Sequence, residues 1–126
     1  MDNYLFECEI PGRPGILKNG KRLVRAKGRV IQISSKKYQE FERFAGLFIS
    51  RNKKHLTITL PVQANVDFYL KNHQHEFDTT NGCEGIFDIL QKCEVIIDDK
   101  LIYKVVAQKH FIENVEEKIF IKVKLL

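Results

Sequence analysis

Residues 79–94 constrain the fold more than any other stretch. At ~100° per residue, Ile86, Ile89, Leu90 and Cys93 fall on one face of a helix. Asn81, Glu84 and Asp88 fall together on the opposite side, spaced three and four apart. A helix divided this cleanly needs a layer to receive its apolar seam. Thr79 or Thr80 serves as its N-cap. Gly82 and Gly85 lie near its start, each costing ~1 kcal/mol against Ala in a helix, so close approach is expected there.

The flanking segments supply the layer. Residues 3–10 alternate Tyr4, Phe6, Cys8 and Ile10 with Leu5, Glu7 and Glu9, a strand pattern of period two. Residues 55–62 alternate Leu56, Ile58, Leu60 and Val62 with Thr57 and Thr59, a second strand, with Pro61 at its end or edge. Residues 65–71 give a third, pairing with the second. Residues 101–111 are apolar and β-rich, and residues 118–126 alternate again, so the two form a C-terminal hairpin. Between the first two strands, Ser34 and Ser35 are candidate N-caps for a helix over 36–51. Its stripe of Tyr38, Phe41, Ala45, Phe48 and Ile49, widened by Phe44 and Leu47, reads as core. The order β, arm, α, β, β, α, β, β predicts an α+β domain, two main helices packed on a mixed sheet. With 126 residues, no repeat and no linker, residues 1–126 read as a single domain.

Composition narrows the class. Hydrophobic residues at 44% and charged residues at 29% argue against a disordered chain. No apolar run approaches the ~20 residues a membrane helix needs. The start of the chain has acids where a signal peptide carries Lys or Arg, so a cytoplasmic location without membrane association is the expectation. Cys8, Cys83 and Cys93 are odd in number and lack C-x-x-C spacing, which argues for reduced thiols rather than a disulfide framework or structural zinc.

Charge is uneven. Residues 1–60 hold 13 Lys and Arg against 5 Asp and Glu, and residues 61–126 hold 8 against 11, within a net of +5. A basic front half suggests a polyanion partner. The arm over 18–29 carries Lys18, Lys21, Arg22, Arg25, Lys27 and Arg29 with Gly20 and Gly28, and Lys36 and Lys37 follow. Such a loop suits phosphate contacts, and it equally suits a solvated loop; Leu23, Val24, Val30, Ile31 and Ile33 allow a loose hairpin there.

The acids gather elsewhere. Asp78, Glu84, Asp88, Asp98 and Asp99 all lie within 78–99. One reading is a solvated helix with an acidic turn after it. The other is a divalent-metal site. Asp78 and Asp99 meet only if the segment after Glu94 doubles back along the helix; at ~3.3 Å per residue it can cover much of a helix ~20 Å long. Converging carboxylates are what Mg²⁺ takes. His73 and His75 precede Asp78, but they lack a third clustered ligand type and read as an exposed loop pair.

The chain resembles the RusA-type Holliday-junction resolvases, small endonucleases associated with phages and prophages. Their pattern is Asp-x-Asp-Asn, a Lys three residues on, an Asp-Ala-Leu-like helix segment and then an Asp-Asp pair. This chain reads Asp78-Thr79-Thr80-Asn81, Glu84, Asp88-Ile89-Leu90, then Asp98-Asp99. Before it come a short strand, a Pro-rich turn, Lys18-Asn19-Gly20-Lys21-Arg22 and Ser35-Lys36-Lys37-Tyr38. Two positions depart: Thr80 stands for the second Asp, and Glu84 for the Lys. One carboxylate is lost and one gained a helical turn later, leaving Asp78, Glu84 and Asp99 as metal ligands and catalytic groups.

The resemblance implies a Mg²⁺-dependent homodimer, with Mn²⁺ as a substitute, that nicks four-way DNA junctions in recombination and repair. In that picture Asn81, Asp88 and Asp98 support the ligands, and Lys18, Lys21, Arg22, Arg25, Lys27, Arg29, Lys36 and Lys37 hold phosphates. A module that binds branched DNA without cutting it is the alternative. An unrelated basic α+β domain is the third reading.

Overall fold

A computed structural model of the protein describes residues 3–17, 21–26 and 29–126, with backbone alone between 21 and 34. The described residues form six strands and two helices: β1 (Phe6–Pro11), β2 (Lys21–Ala26), β3 (Arg29–Ser34), α1 (Lys36–Asn52), β4 (Val62–Leu70), α2 (Thr79–Lys92), β5 (Ile102–Phe111) and β6 (Lys118–Leu125). A 3-10 turn, Asp99–Leu101, leads into β5. Four strands make a mixed sheet in the order β1-β6-β4-β5, and β2 and β3 make a separate two-stranded sheet. The architecture is α+β, as the pattern of elements predicts.

The sheet buries one face. Val62, Ala64, Val66, Phe68 and Leu70 of β4 point the same way and are all buried. Ile119, Ile121 and Val123 of β6 and Phe6, Cys8 and Ile10 of β1 continue that surface. Ile86, Ile89 and Leu90 of α2 and Ala45 and Ile49 of α1 close it from the other side. Fully burying one such aliphatic side chain contributes about 1.5–3 kcal/mol, so this shared face is what fixes the helices on the sheet. Ser35 caps α1 by accepting the Tyr38 N–H at 3.1 Å.

The structure departs from the period-two reading at two places. Residues 55–61 do not form a strand. Ile58 alone bridges to Ile96, and Leu56 and Leu60 are 92% and 57% exposed. The partner segment is short, because Ile97 is followed by the capped turn at Asp98, and Pro61 has no N–H to extend a ladder. Alternation there is real, but only Ile58 finds something to pack on. The strand begins at Val62 instead, and it pairs with β6 and β5 rather than with the segment before it.

The C-terminal strands are not a hairpin. β4 lies between β5 and β6, antiparallel to β6 and parallel to β5. Parallel neighbours need a crossover, and α2 is that crossover. Burial explains the order. β6 buries Ile119, Ile121 and Val123 and takes two neighbours, whereas β5 is largely exposed and takes the edge.

Candidate active site at the two ends of the crossover helix

Asp78, not Thr79 or Thr80, is the N-cap of α2. Its carboxylate makes no side-chain cap bond to the helix. Instead it accepts from Asn81 Nδ2 at 3.3 Å. Asp78 and Glu84 are both exposed, so their oxygens face solvent at the start of the helix. Asp88 is engaged differently. Its Oδ2 lies 3.0 Å from the Tyr38 hydroxyl and 3.1 Å from Lys92 Nζ, which also reaches Glu42 at 3.0 Å. Asp88 therefore ties α2 to α1. Burial, with the Asp88 carboxylate beside it, pushes the Tyr38 phenol well above its ordinary pKa. Burial acts to lower the Lys92 pKa, but the bonds to Glu42 and Asp88 outweigh it and hold the ammonium charged.

Asp98 and Asp99 sit at the other end. Glu94, at φ 59°, turns the chain after the helix. Val95 and Ile96 then bury themselves under the sheet, with Ile58 N–H donating to Val95 O at 3.0 Å. Asp98 caps the 3-10 turn by accepting the Lys100 N–H at 2.8 Å. The Asp99 N–H donates to Gln91 Oε1 at 2.9 Å, in the last turn of α2. A 14-residue helix is ~20 Å long, so Asp78 and Asp99 mark its opposite ends. The expected doubling back along the helix does not occur, because Val95 and Ile96 are drawn into the core instead. Among the described residues no three His, Cys, Asp or Glu come together as a metal site within the chain.

Two cations missed in the sequence hold the segment that carries Asp78. Arg13 Nε donates to Glu117 Oε2 at 2.9 Å, Nη2 donates to Asn72 O and Oδ1 at 3.0 Å each, and Nη1 donates to Gln74 O. Lys109 Nζ donates to Phe77 O at 2.8 Å. Arg13 sits in a Pro-Gly turn that reads only as a breaker, and Lys109 sits in an apolar strand; neither local pattern signals a role. Lys18 and Lys27 lie outside the described residues, as do the side chains of Lys21, Arg22, Arg25 and Arg29. Lys36 and Lys37 are exposed in the first turn of α1.

The clamp has a pH signature. The hydrogen bond from Arg13, opposed by burial and helped by the Lys71 N–H, holds the Glu117 carboxyl below its ordinary 4.5. A carboxyl depressed in the folded state contributes stability that is complete above its unfolded value and lost as pH falls through its folded value. Glu117→Gln is expected to melt below wild type at about pH 7, and the gap is expected to close as pH drops below about 4.5. Thermal melts across that range check it; a gap that stays constant means the ionised carboxylate is not what holds the clamp.

Residues 11–124 match the family model Endodeoxyribonuclease RusA. The chain belongs to the endodeoxyribonuclease RusA family. No curated protein matches it. RusA proteins are endodeoxyribonucleases that act on branched, Holliday-junction DNA, and they are in general divalent-metal dependent. The matched span takes in both ends of α2 and the strands that carry the basic arm. It also fits the chain's basic front half. Among the described residues no helix is long and apolar enough to cross a membrane.

Proposed function

We propose that the protein is a Mg²⁺-dependent endonuclease that nicks four-way DNA junctions, and that it acts as a homodimer whose sites are each closed by both protomers. The observation that carries this is the separation of Asp78 and Asp99 by the length of α2. One chain cannot bring them to one ion, but a two-fold partner can. β5 is one of the two edge strands of the sheet, and it exposes Tyr103, Val105, Val106 and Phe111. Two-fold antiparallel pairing of these edges would extend the sheet across both protomers. It would also carry the partner's Asp99, which precedes β5, toward the end of β5 where Lys109 holds Phe77 beside Asp78.

The donor set suits the ion. Asp78, Glu84 and Asp99 offer hard carboxylate oxygens, and the Asp78 carboxylate makes no cap bond to the backbone of α2, only the 3.3 Å contact from Asn81 Nδ2. A divalent cation held there supplies charge neutralisation at a phosphodiester and an acidified water. The chain's own residues do the rest. Asn81 orients the Asp78 carboxylate, Glu84 serves as third ligand or as the base that positions water, and Asp98 shapes the turn that presents Asp99. Asp88 supports the site by fixing α2 on α1. Lys18, Lys21, Arg22, Arg25, Lys27, Arg29, Lys36 and Lys37 hold phosphates, which positions the junction without reading its sequence. Mn²⁺ is an acceptable substitute, and a cytoplasmic location goes with the free thiols of Cys8, Cys83 and Cys93.

Mixed dimers test the shared site. Asp78→Asn and Asp99→Asn are each expected to be inactive alone. Co-refolded together they leave one intact site in each mixed dimer, roughly a quarter of all sites if protomers exchange freely. Single nicks in a labelled junction should return in the mixture. If the mixture stays inactive while wild type cuts, each site belongs to one protomer and the shared arrangement is wrong. The second reading, a module that holds branched DNA without cutting, draws on Glu84 standing where the family pattern has Lys. Wild type that binds the junction and leaves it whole in Mg²⁺ and Mn²⁺ selects it.

A further inference from the structure

A cleft of about 750 Å³ opens beside the segment that carries Asp78. Its wall is aromatic, with Phe41 and Phe44 from α1 and Phe77 from the segment itself. Its rim is polar and of both signs, with Lys37, Glu40 and Glu76. Phe44 belongs to the helical stripe that reads as core, yet it is 43% exposed, its ring tilted against Phe48 at 5.0 Å. Core packing therefore accounts for Phe48 and leaves Phe44 facing the cleft.

The lining selects among ligands. A phosphate inside the cleft would find Lys37 offset by the carboxylates of Glu40 and Glu76, and the Arg13 guanidinium already bonded to Glu117 and Asn72. An aliphatic chain would leave the polar rim unused. A flat heteroaromatic ring uses both parts, because its face stacks on Phe while its edge carries donors and acceptors for the rim. The geometry points to this cleft as the seat of one nucleobase of the branched substrate, turned out of its stack beside the phosphate to be cut. This deepens the junction-cutting reading and rests on it.

Two further features support the placement. Phe77 directly precedes Asp78, and consecutive Cα atoms are ~3.8 Å apart, so a base against Phe77 belongs to a nucleotide adjoining the one at Asp78. Turning a base out costs least where its stacking is already interrupted, and a junction held open interrupts stacking at the branch point. Ser35, at the root of the basic hairpin, lies on the same rim, so the strand's phosphates can run from the hairpin past the cleft to Asp78.

Abasic junctions test this. A tetrahydrofuran abasic residue is placed at each position around the branch point of a labelled four-way junction. Binding is measured in Ca²⁺ and nicking in Mg²⁺, for wild type, Phe44→Leu and Phe44→Trp. One position is expected to cost wild type about tenfold in affinity. The same position should cost Phe44→Leu nothing, since that variant keeps the apolar bulk and loses the ring. Phe44→Trp should restore the tenfold sensitivity. If wild type binds and nicks all the abasic junctions like the parent, or if Phe44→Leu keeps the sensitivity, the cleft holds no base and the nuclease reading stands without it. If wild type binds no branched DNA at all, the nuclease reading fails and the cleft proposal fails with it.

Discussion

Asp78→Asn is expected to abolish junction nicking while leaving junction binding intact. The carboxylate stands at the start of α2, exposed and uncommitted to capping. Its amide isostere keeps the size and the Asn81 contact but removes the charge. The loss in rate is expected to be about a thousandfold or more, since an interaction made with the charge of the transition state is removed. Affinity for the uncut junction in Ca²⁺ should change by no more than about threefold, because phosphate contacts by Lys and Arg dominate binding. Glu84→Ala should produce the same split. Near-normal nicking by Glu84→Ala would remove Glu84 from the ligand set, and near-normal nicking by Asp78→Asn would remove the site itself. Loss of binding along with nicking would mean the substitution damaged the fold rather than the chemistry.

Gly85→Ala is expected to be the most damaging single-methyl change in α2. A Cβ there would stand 2.9 Å from Tyr38 Cε1 and 3.1 Å from Gly15 O. Neither neighbour can yield easily. Tyr38 is buried, and its hydroxyl lies 3.0 Å from both Gly85 O and Asp88 Oδ2. Gly15 O is backbone. Overpacking of this kind costs about 1–3 kcal/mol, and with two neighbours that cannot yield the upper part of that range applies, above the ~1 kcal/mol that Ala gains over Gly in a helix. Gly82 is the contrast. A Cβ there would meet the ring of Phe77 at 2.8 Å and that of the fully buried Phe68 at 3.0 Å. The closer of the two, Phe77, is only half buried, so its ring can give, and none of the three nearest atoms is backbone. Gly82→Ala is expected to fall within about 1 kcal/mol of wild type. Urea melts of the two variants check the ranking; equal stability for Gly85→Ala and wild type would mean that α1 and α2 are not held this close.

The same two glycines mark how far local pattern carries. Their presence in a helix signals close approach, and that signal is correct. What approaches is not in the pattern. Gly85 meets a tyrosine 47 positions away, brought there by the sheet that both helices cover. The amphipathic seam of α2 behaves likewise. Ile86, Ile89 and Leu90 are core as the 3.6 period requires. The acid side splits into an exposed Glu84 and an Asp88 spent on Tyr38 and Lys92, because α1 happens to pack along that edge.

Strand pairing was the least legible part. Residues 55–61 and 62–70 both alternate, and alternation states which residues share a face, not which strand lies alongside. The deciding term is the fully buried face of β4 and β6, which places both strands inside the sheet with a neighbour on each edge, leaves β5 for an outer position and turns an expected hairpin into a parallel crossover. That choice also decides the site. With α2 serving as the crossover, its two ends must lie at opposite ends of the sheet.

The chain's residue pattern was enough for the family, the α+β class, the helix that carries the acids, the seam it buries and the basic front half. These depend on residue type and on spacing within one element, where backbone geometry is fixed by short-range sterics. Only the tertiary structure decided that Asp78 and Asp99 stand apart, that Arg13 and Lys109 hold the segment between β4 and α2, and that Phe44 faces a cleft rather than the core. Those outcomes depend on which long-range surfaces bury each other best, and a surface's partner is not written in its own period.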